Sequence, residues 1–354
     1  AVQPQAGGVY AFGRKRLNEL AGFTAGWAFV TGKLASLTAM ALTFGAYAFP
    51  HHLKLAALAA VVAMTAVNLS GIQRTAKVAT LGGLIVGTGL LAVGVGELTA
   101  PCRGSANGAH FSHLTPLTGS GGIHGLLGAS GIMFFAFAGY ARIATLGEEV
   151  KDPARTIPKA VPIALATAFG IYLLSLSGAL VAIGPKALAH SAAPLEAAAR
   201  SSIGEAAASM VQLLAAIAVL GVLLSLLAGV SRTAFAMADD GELPRLLSRV
   251  SERTKVPHVA QLATALIVVA AVLLVPTAKA ISTSSLLILT YYSIAHLSAL
   301  RLAEDDGRPG ILAPLGLVGC LALALSLPGD QVLTGLAILS VGLVGRTLFR
   351  ALRA

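Results

Sequence analysis

Ten stretches of this chain are apolar over the length of a membrane span, and that alone restricts what it can fold into. They run near Ala21–Tyr47, Leu53–Leu69, Thr75–Leu98, Gly125–Glu148 and Ile157–Ile183. The second five lie near Ala206–Phe235, Val259–Val275, Ile281–Leu302, Ile311–Leu327 and Val332–Phe349. About 20 helical residues cross a ~30 Å hydrocarbon core, where every backbone N–H and C=O must be bonded inside the protein. Helices meet that rule residue by residue, so the chain reads as an all-α polytopic membrane protein. Of its 354 residues, 56% are hydrophobic and only 11% charged, more apolar surface than a water-facing domain can hide.

A formal net charge of +10 would suit a nucleic-acid binder if it formed one basic face. Instead the basic residues sit in short connections, without interleaved aromatics, and no nucleic-acid partner is expected. Eighteen of the 25 Lys and Arg fall on one set of alternate connections and five on the other. The positive-inside rule places the eighteen, and with them the C-terminal Ala354, in the cytoplasm of an inner-membrane protein. The remaining two, Lys33 and Arg142, lie inside apolar runs. His110 and His113 lack zinc-site spacing, so no metal is expected. Cys102 and Cys320 give no disulfide framework. The chain opens with AVQPQAGGVYAFGRKR, which reads as the end of a helix, and residues upstream of Ala1 are expected.

Chemistry concentrates between His124 and Ala160. There Phe134-Phe135-Ala136-Phe137-Ala138-Gly139-Tyr140 precedes the acidic pair Glu148-Glu149 and the segment KDPARTIP. Pro153 and Pro158 are expected to break the helix and Thr156 to cap the next one. Gly139, among bulky aromatics, is a weak point in a spanning helix. An opening there frees carbonyls that can hold an ammonium, and a half-helix N-terminus can hold a carboxylate. An amino acid presents both groups together. On residue types alone, a merely kinked helix with aromatic packing is an equal alternative. Lys33, at the middle of the first complete run, costs several kcal/mol there unless it faces a cavity or a partner. It is read as taking the place of a coupling cation or titrating during transport. Glu148 and Glu149 are either a solvated pair or an inner gate meeting Arg232 or the Arg14–Arg16 cluster.

FFAFAGYARIATLGEEVKDPARTIPKA resembles the sixth transmembrane helix and following loop of the amino acid–polyamine–organocation family of transporters. PQAGGVYAFGRKRLNELAGFTAGW is similar to the end of helix two, the inner loop and the start of helix three. VNLSGIQRTAKV resembles the entry to helix five, and SRTAFAMADDGELP the inner end of helix eight. The resemblance implies a leucine-transporter-like inverted-repeat bundle of about ten complete transmembrane helices plus a partial N-terminal one. Helix one and part of helix two would be absent. Residues 1–16 would hold a helix end and inner loop, 21–98 the rest of the first repeat, 125–302 the second, and 311–349 two extra helices. It implies substrate binding along Phe134 to Tyr140, with Phe135 as an aromatic gate and the Phe135, Ala138 and Gly139 carbonyls receiving the amino group.

Two departures from the family pattern bear on specificity and coupling. Ala141-Arg142 stands where cation-selective relatives often carry an acid, and Leu84–Gly87 lacks the helix-five lysine of some proton-coupled relatives. A neutral amino acid is therefore expected over a cationic one. The implied partners are that amino acid, the lipid bilayer, and a coupling proton or a counter-transported amino acid, with no cofactor. Two readings compete: an intramembrane serine protease built on Ser130 of Gly128-Ala129-Ser130-Gly131 with His296, and a passive channel. Small residues at helix contacts explain the tetrad more simply. The acids Asp239-Asp240 and Glu304-Asp305-Asp306 read as solvated turns rather than a metal pair.

Overall fold

A computed structural model describes residues 8–71, 76–101, 111–114, 122–140, 152–305 and 310–352. Among the described residues the regular structure is helical throughout, with no strand. The helices begin with α1 (Val9–Arg16), α2 (Glu19–Ala48), α3 (Leu53–Leu69) and α4 (Ala76–Thr99). Next come α5 (Gly122–Phe137), α6 (Pro153–His190), α7 (Pro194–Ser202) and α8 (Glu205–Asp239). The series closes with α9 (His258–Leu274), α10 (Thr277–Asp305), α11 (Leu312–Leu325) and α12 (Gly329–Ala351).

Seven of these helices are long and apolar enough to cross a membrane, and α5, α9 and α11 are shorter apolar helices. Together they account for the ten apolar runs, and the chain is an integral, multi-pass, all-α membrane protein. The short helix α7 joins α6 to α8, and the short helix α1 precedes α2.

The bundle is organised around α2. In its most apolar stretch 67% of residues are buried, against 17–44% in the other six spanning helices, which makes it the central element. Asn18 starts it by accepting the Ala21 N–H at 2.8 Å, with Glu19 in the first turn, where the helix dipole favours an acid. Its sequence then supplies small residues to neighbours on every side. In lipid, where tails are as apolar as leucine, such close approach is what holds helices together. Gly32 shows the tolerance: a methyl there would lie 2.9 Å from Cβ of Leu287 on α10. One core cluster joins Phe23 and Leu37 of α2 to Leu223, Leu227 and Met237 of α8 and Val268 of α9. A second surrounds the end of α5 with Ala28, Leu289, Tyr291 and Tyr292.

Between Asp152 and Ile163 the expectation needs correction. Helix α6 begins at Pro153 after Asp152, whose φ of 51° lies in the left-handed region. Thr156 is therefore inside the first turn, and its N–H bonds to Asp152 O at 3.0 Å. Pro158 and Pro162 sit within the helix rather than ending it. A proline near a helix start gives up few backbone bonds, and neighbouring groups in a membrane bundle re-satisfy them. The real interruption is at Gly184, at φ 74° and ψ 166°, just before Pro185.

At one end of the bundle a charged cluster ties four elements together. The Glu242 carboxylate, 1% exposed, accepts from Arg346 Nε at 2.7 Å and Nη2 at 3.0 Å, and from Arg350 at 2.8 Å. Arg350 also reaches Glu19 at 2.9 Å. Arg14 of α1 lies 3.4 Å from Asp240 and donates to the Tyr10 hydroxyl at 2.9 Å. That hydroxyl donates to Asp240 at 2.6 Å, and burial followed by this bond holds the Tyr10 phenol above its ordinary range.

Candidate functional site

Helix α5 holds 16 residues, about 24 Å at 1.5 Å per residue, short of a ~30 Å hydrocarbon core. At Phe137 its α-helical geometry gives way to a 3₁₀ turn, Ala138–Tyr140. The last carbonyls of an α-helix have no intrahelical partner and must find one elsewhere. Here side chains from three other helices come to this end. Tyr172 of α6 donates its hydroxyl to Ala136 O at 3.0 Å. Lys33 of α2 donates from Nζ to Ala138 O at 3.1 Å. Further up, Ser285 of α10 donates to Ile132 O at 3.1 Å.

Lys33 is 4% exposed, and Ala138 O is its acceptor among the described residues. No carboxylate pairs with it among those residues. An amino group at mid-span with one carbonyl acceptor keeps two further donor positions for another group. One turn along α2, Ser36 and Ser284 form a hydroxyl pair at 2.6 Å. Ser282, Thr283, Ser284 and Ser285 of α10 are all buried, and two of them bond across helices, Ser284 to Ser36 of α2 and Ser285 to Ile132 O of α5.

The aromatic residues of the segment are divided between neighbours. Phe134 meets Tyr292 edge-on at 5.6 Å, and Phe135 is half-buried in the same cluster. Phe137 turns to α6, with centroids 5.3 Å from Tyr172 and 6.5 Å from Phe169. Ala138 is buried, and Gly139 is exposed with no heavy atom of the described residues within 4 Å of where a Cβ would stand. Tyr140 closes the 3₁₀ turn. Of the residues expected in the site, Lys33 reaches the end of α5 at Ala138, while Phe134 and Phe135 face the Tyr292 cluster and Phe137 faces α6.

Glu148 and Glu149 lie outside the described residues, as do Ala141 and Arg142. Arg232 is on α8, exposed, and Arg14 meets Glu19, Asp240 and Glu242. Ser130 donates to Leu126 O of its own helix at 2.8 Å, while the His296 ring fills the space over Gly316 on α11. Among the described residues these two side chains make no dyad.

Sequence reasoning missed Tyr172 and the hydroxyl residues at 282–285. Four consecutive hydroxyl side chains in a spanning run were a readable signal, since buried hydroxyls in lipid seek partners across helices.

Comparison with known proteins gives a family model, described as amino acid permease, that matches residues 1–303. An uncharacterized transporter of Mycobacterium tuberculosis is 46% identical over 343 residues, 97% of this chain and 76% of the relative. The branched-chain amino acid permease BcaP of Bacillus subtilis is 28% identical over 223 residues, 60% of this chain and 48% of its own length. A vacuolar cationic amino acid transporter of Arabidopsis thaliana is 30% identical over 180 residues, 50% of this chain and 28% of its own length.

Proposed function

The chain belongs to the amino acid permease family, and we propose that it carries a neutral amino acid across the inner membrane by alternating access at the end of α5. It is a transporter of amino acids rather than an enzyme; the choice of substrate, the site and the cycle are the proposal. The observation that carries the proposal is the meeting of Lys33 with the backbone carbonyl of Ala138 inside the bundle. That carbonyl suits a substrate ammonium. When substrate arrives, its amino group takes Ala138 O, and the Lys33 amino group turns to the substrate carboxylate. Lys33 thereby stands in for a coupling cation while the site is empty, and either moves with the substrate or gives up a proton in the cycle.

Names of the relatives point to branched-chain substrates in one case and cationic ones in another, so the residues must decide. In its charged form Lys33 repels a second positive charge, and the described residues put no carboxylate beside it. Both features favour a neutral substrate. The aromatic face of Phe134, Phe135 and Tyr292 offers apolar surface to its side chain. Rocking of one helix group against another around this point, as in an inverted-repeat bundle, would open the site to each side in turn.

Counterflow in proteoliposomes tests this reading. Vesicles preloaded with unlabelled L-leucine should take up labelled L-leucine saturably and faster than empty vesicles, with L-arginine a poor substitute. Linear, unsaturable flux without stimulation by the internal amino acid would identify a passive channel instead.

A further inference from the structure

Away from the α5 end, the interface between α4 and α6 holds a carboxyl group that the transport reading does not use. Glu97, two residues before the end of α4, is 1% exposed. Neither carboxyl oxygen has a hydrogen-bond partner among the described residues. The two helices run parallel along a stripe where Gly87 faces Ile171, Gly94 faces Leu174 and Glu97 faces Gly178. Gly178 makes the space: a Cβ there would stand 2.7 Å from Glu97 Oε2 and 2.8 Å from Gly94 O. One turn earlier on α6, Ser175 also has a buried hydroxyl without a partner among the described residues. Two polar groups are thus buried at one helix interface, with room left by a glycine.

Among the described side chains, few charged or titratable groups lie around this seam. From α2 comes Tyr47, whose hydroxyl accepts the Leu195 N–H at 3.3 Å. From α7 come Glu196 and Arg200, paired at 2.6 Å, and the first turn of α8 adds Glu205, which also holds Arg200. On α6 no titratable residue stands between Tyr172 and Lys186, and the stretch Thr80–Pro101 around Glu97 contains no other. The one cation among these described groups, Arg200, is engaged by two other acids, and Glu97 has no counter-charge among the described residues. An ionised carboxylate this deeply buried, with no partner among the described residues, is costly in a membrane bundle, whereas the neutral acid is tolerated.

We propose that Glu97 is a proton-binding site, occupied in this conformation, and that its proton is the ion whose gradient drives transport. The second half rests on the transport reading given above. No bond but the carboxyl O–H forms or breaks, and the proton passes to and from water. Helix α6 connects this seam to the substrate end. Tyr172, one turn before Ser175, donates to Ala136 O, and Phe169 and Tyr172 pack on Phe137. Once Glu97 loses its proton, the charge demands water, which enters only if α4 and α6 part. That parting draws Tyr172 off Ala136 and changes the end of α5.

Infrared spectroscopy of the purified protein in bilayers, without substrate, reads the proton directly. A protonated-carboxyl carbonyl band should be present near neutral pH, shift in deuterated buffer, and be absent in Glu97→Gln. The same preparations, with Glu97→Asp, are then assayed for uptake of labelled L-leucine, L-arginine and L-glutamate with and without an imposed pH gradient. In Glu97→Gln the ratio of gradient-driven accumulation to counterflow should fall at least tenfold, and Glu97→Asp should restore part of it. A wild-type spectrum lacking the band, or a Glu97→Gln protein with the wild-type gradient response, overturns the proposal. If Glu97→Gln does not fold, pH titration of the wild-type band still decides it, a carboxylate signature at neutral pH being the refuting result. Should the wild-type protein carry none of the three amino acids yet keep the band, the proton site stands and the substrate reading falls.

Discussion

Replacing Lys33 by methionine removes the amino group and keeps most of the apolar stem. Two free-energy terms then change in opposite directions. Loss of the charge-assisted bond to Ala138 O forfeits about 1.5–3 kcal/mol. Removal of a cation from mid-span relieves about 2.5–3.5 kcal/mol on insertion scales. Folding stability should therefore stay close to wild type or rise slightly, and thermal unfolding in lipid nanodiscs measures it. Transport should respond differently, because the same amino group is the one offered to the substrate carboxylate. At about 1.4 kcal/mol per factor of ten, kcat/KM for L-leucine counterflow should drop roughly ten- to a hundredfold. Lys33→Arg keeps the charge and should retain more activity, though a rigid fork cannot reproduce the reach of an ammonium. A Lys33→Met protein with wild-type kcat/KM and an unchanged pH profile would refute the role given to this residue. Equal loss of stability and transport would reduce it to a structural one.

Tyr172→Phe removes one hydroxyl from Ala136 O, so kcat/KM should fall by about two- to tenfold while the melting temperature changes little. Glu242→Ala leaves buried Arg346 with only the more distant Glu19 carboxylate at 3.6 Å and should destabilise by about 3 kcal/mol, read as a large drop in melting temperature. The paired change Glu242→Leu with Arg346→Met should recover much of that loss, since an apolar pair of similar volume needs no desolvation.

Much of the architecture was legible because lipid imposes one rule on every span. Helix α3 runs over Leu53–Leu69, the limits its apolar run suggested, and the central helix exceeds its run by only a residue or two at each end. Helix starts were harder. Thr156 carried a capping side chain, yet Asp152 takes the preceding position, where Pro153 can begin a helix without needing its missing N–H. Of the site, Gly139 among aromatics was readable as a weak point, and Lys33 as an oddity. The acceptor of Lys33 was not, because a backbone carbonyl 105 positions away leaves no mark in side-chain pattern. Glu97 was passed over as one acid near the end of an apolar run; only its closed surroundings in the fold distinguish it from a solvated helix end. The cluster around Glu242 was hidden for a related reason, since four elements far apart in sequence contribute to it.

Occupation of the α5 end by substrate can be read at Gly139, which is exposed and has space for a side chain among the described residues. A Gly139→Cys protein, with Cys102 and Cys320 replaced by alanine, would be labelled by a small maleimide in membranes. L-leucine should slow that labelling saturably, with half-protection at the concentration that half-saturates counterflow. Labelling that proceeds at the same rate at every concentration of an amino acid the protein demonstrably exchanges would place the substrate elsewhere.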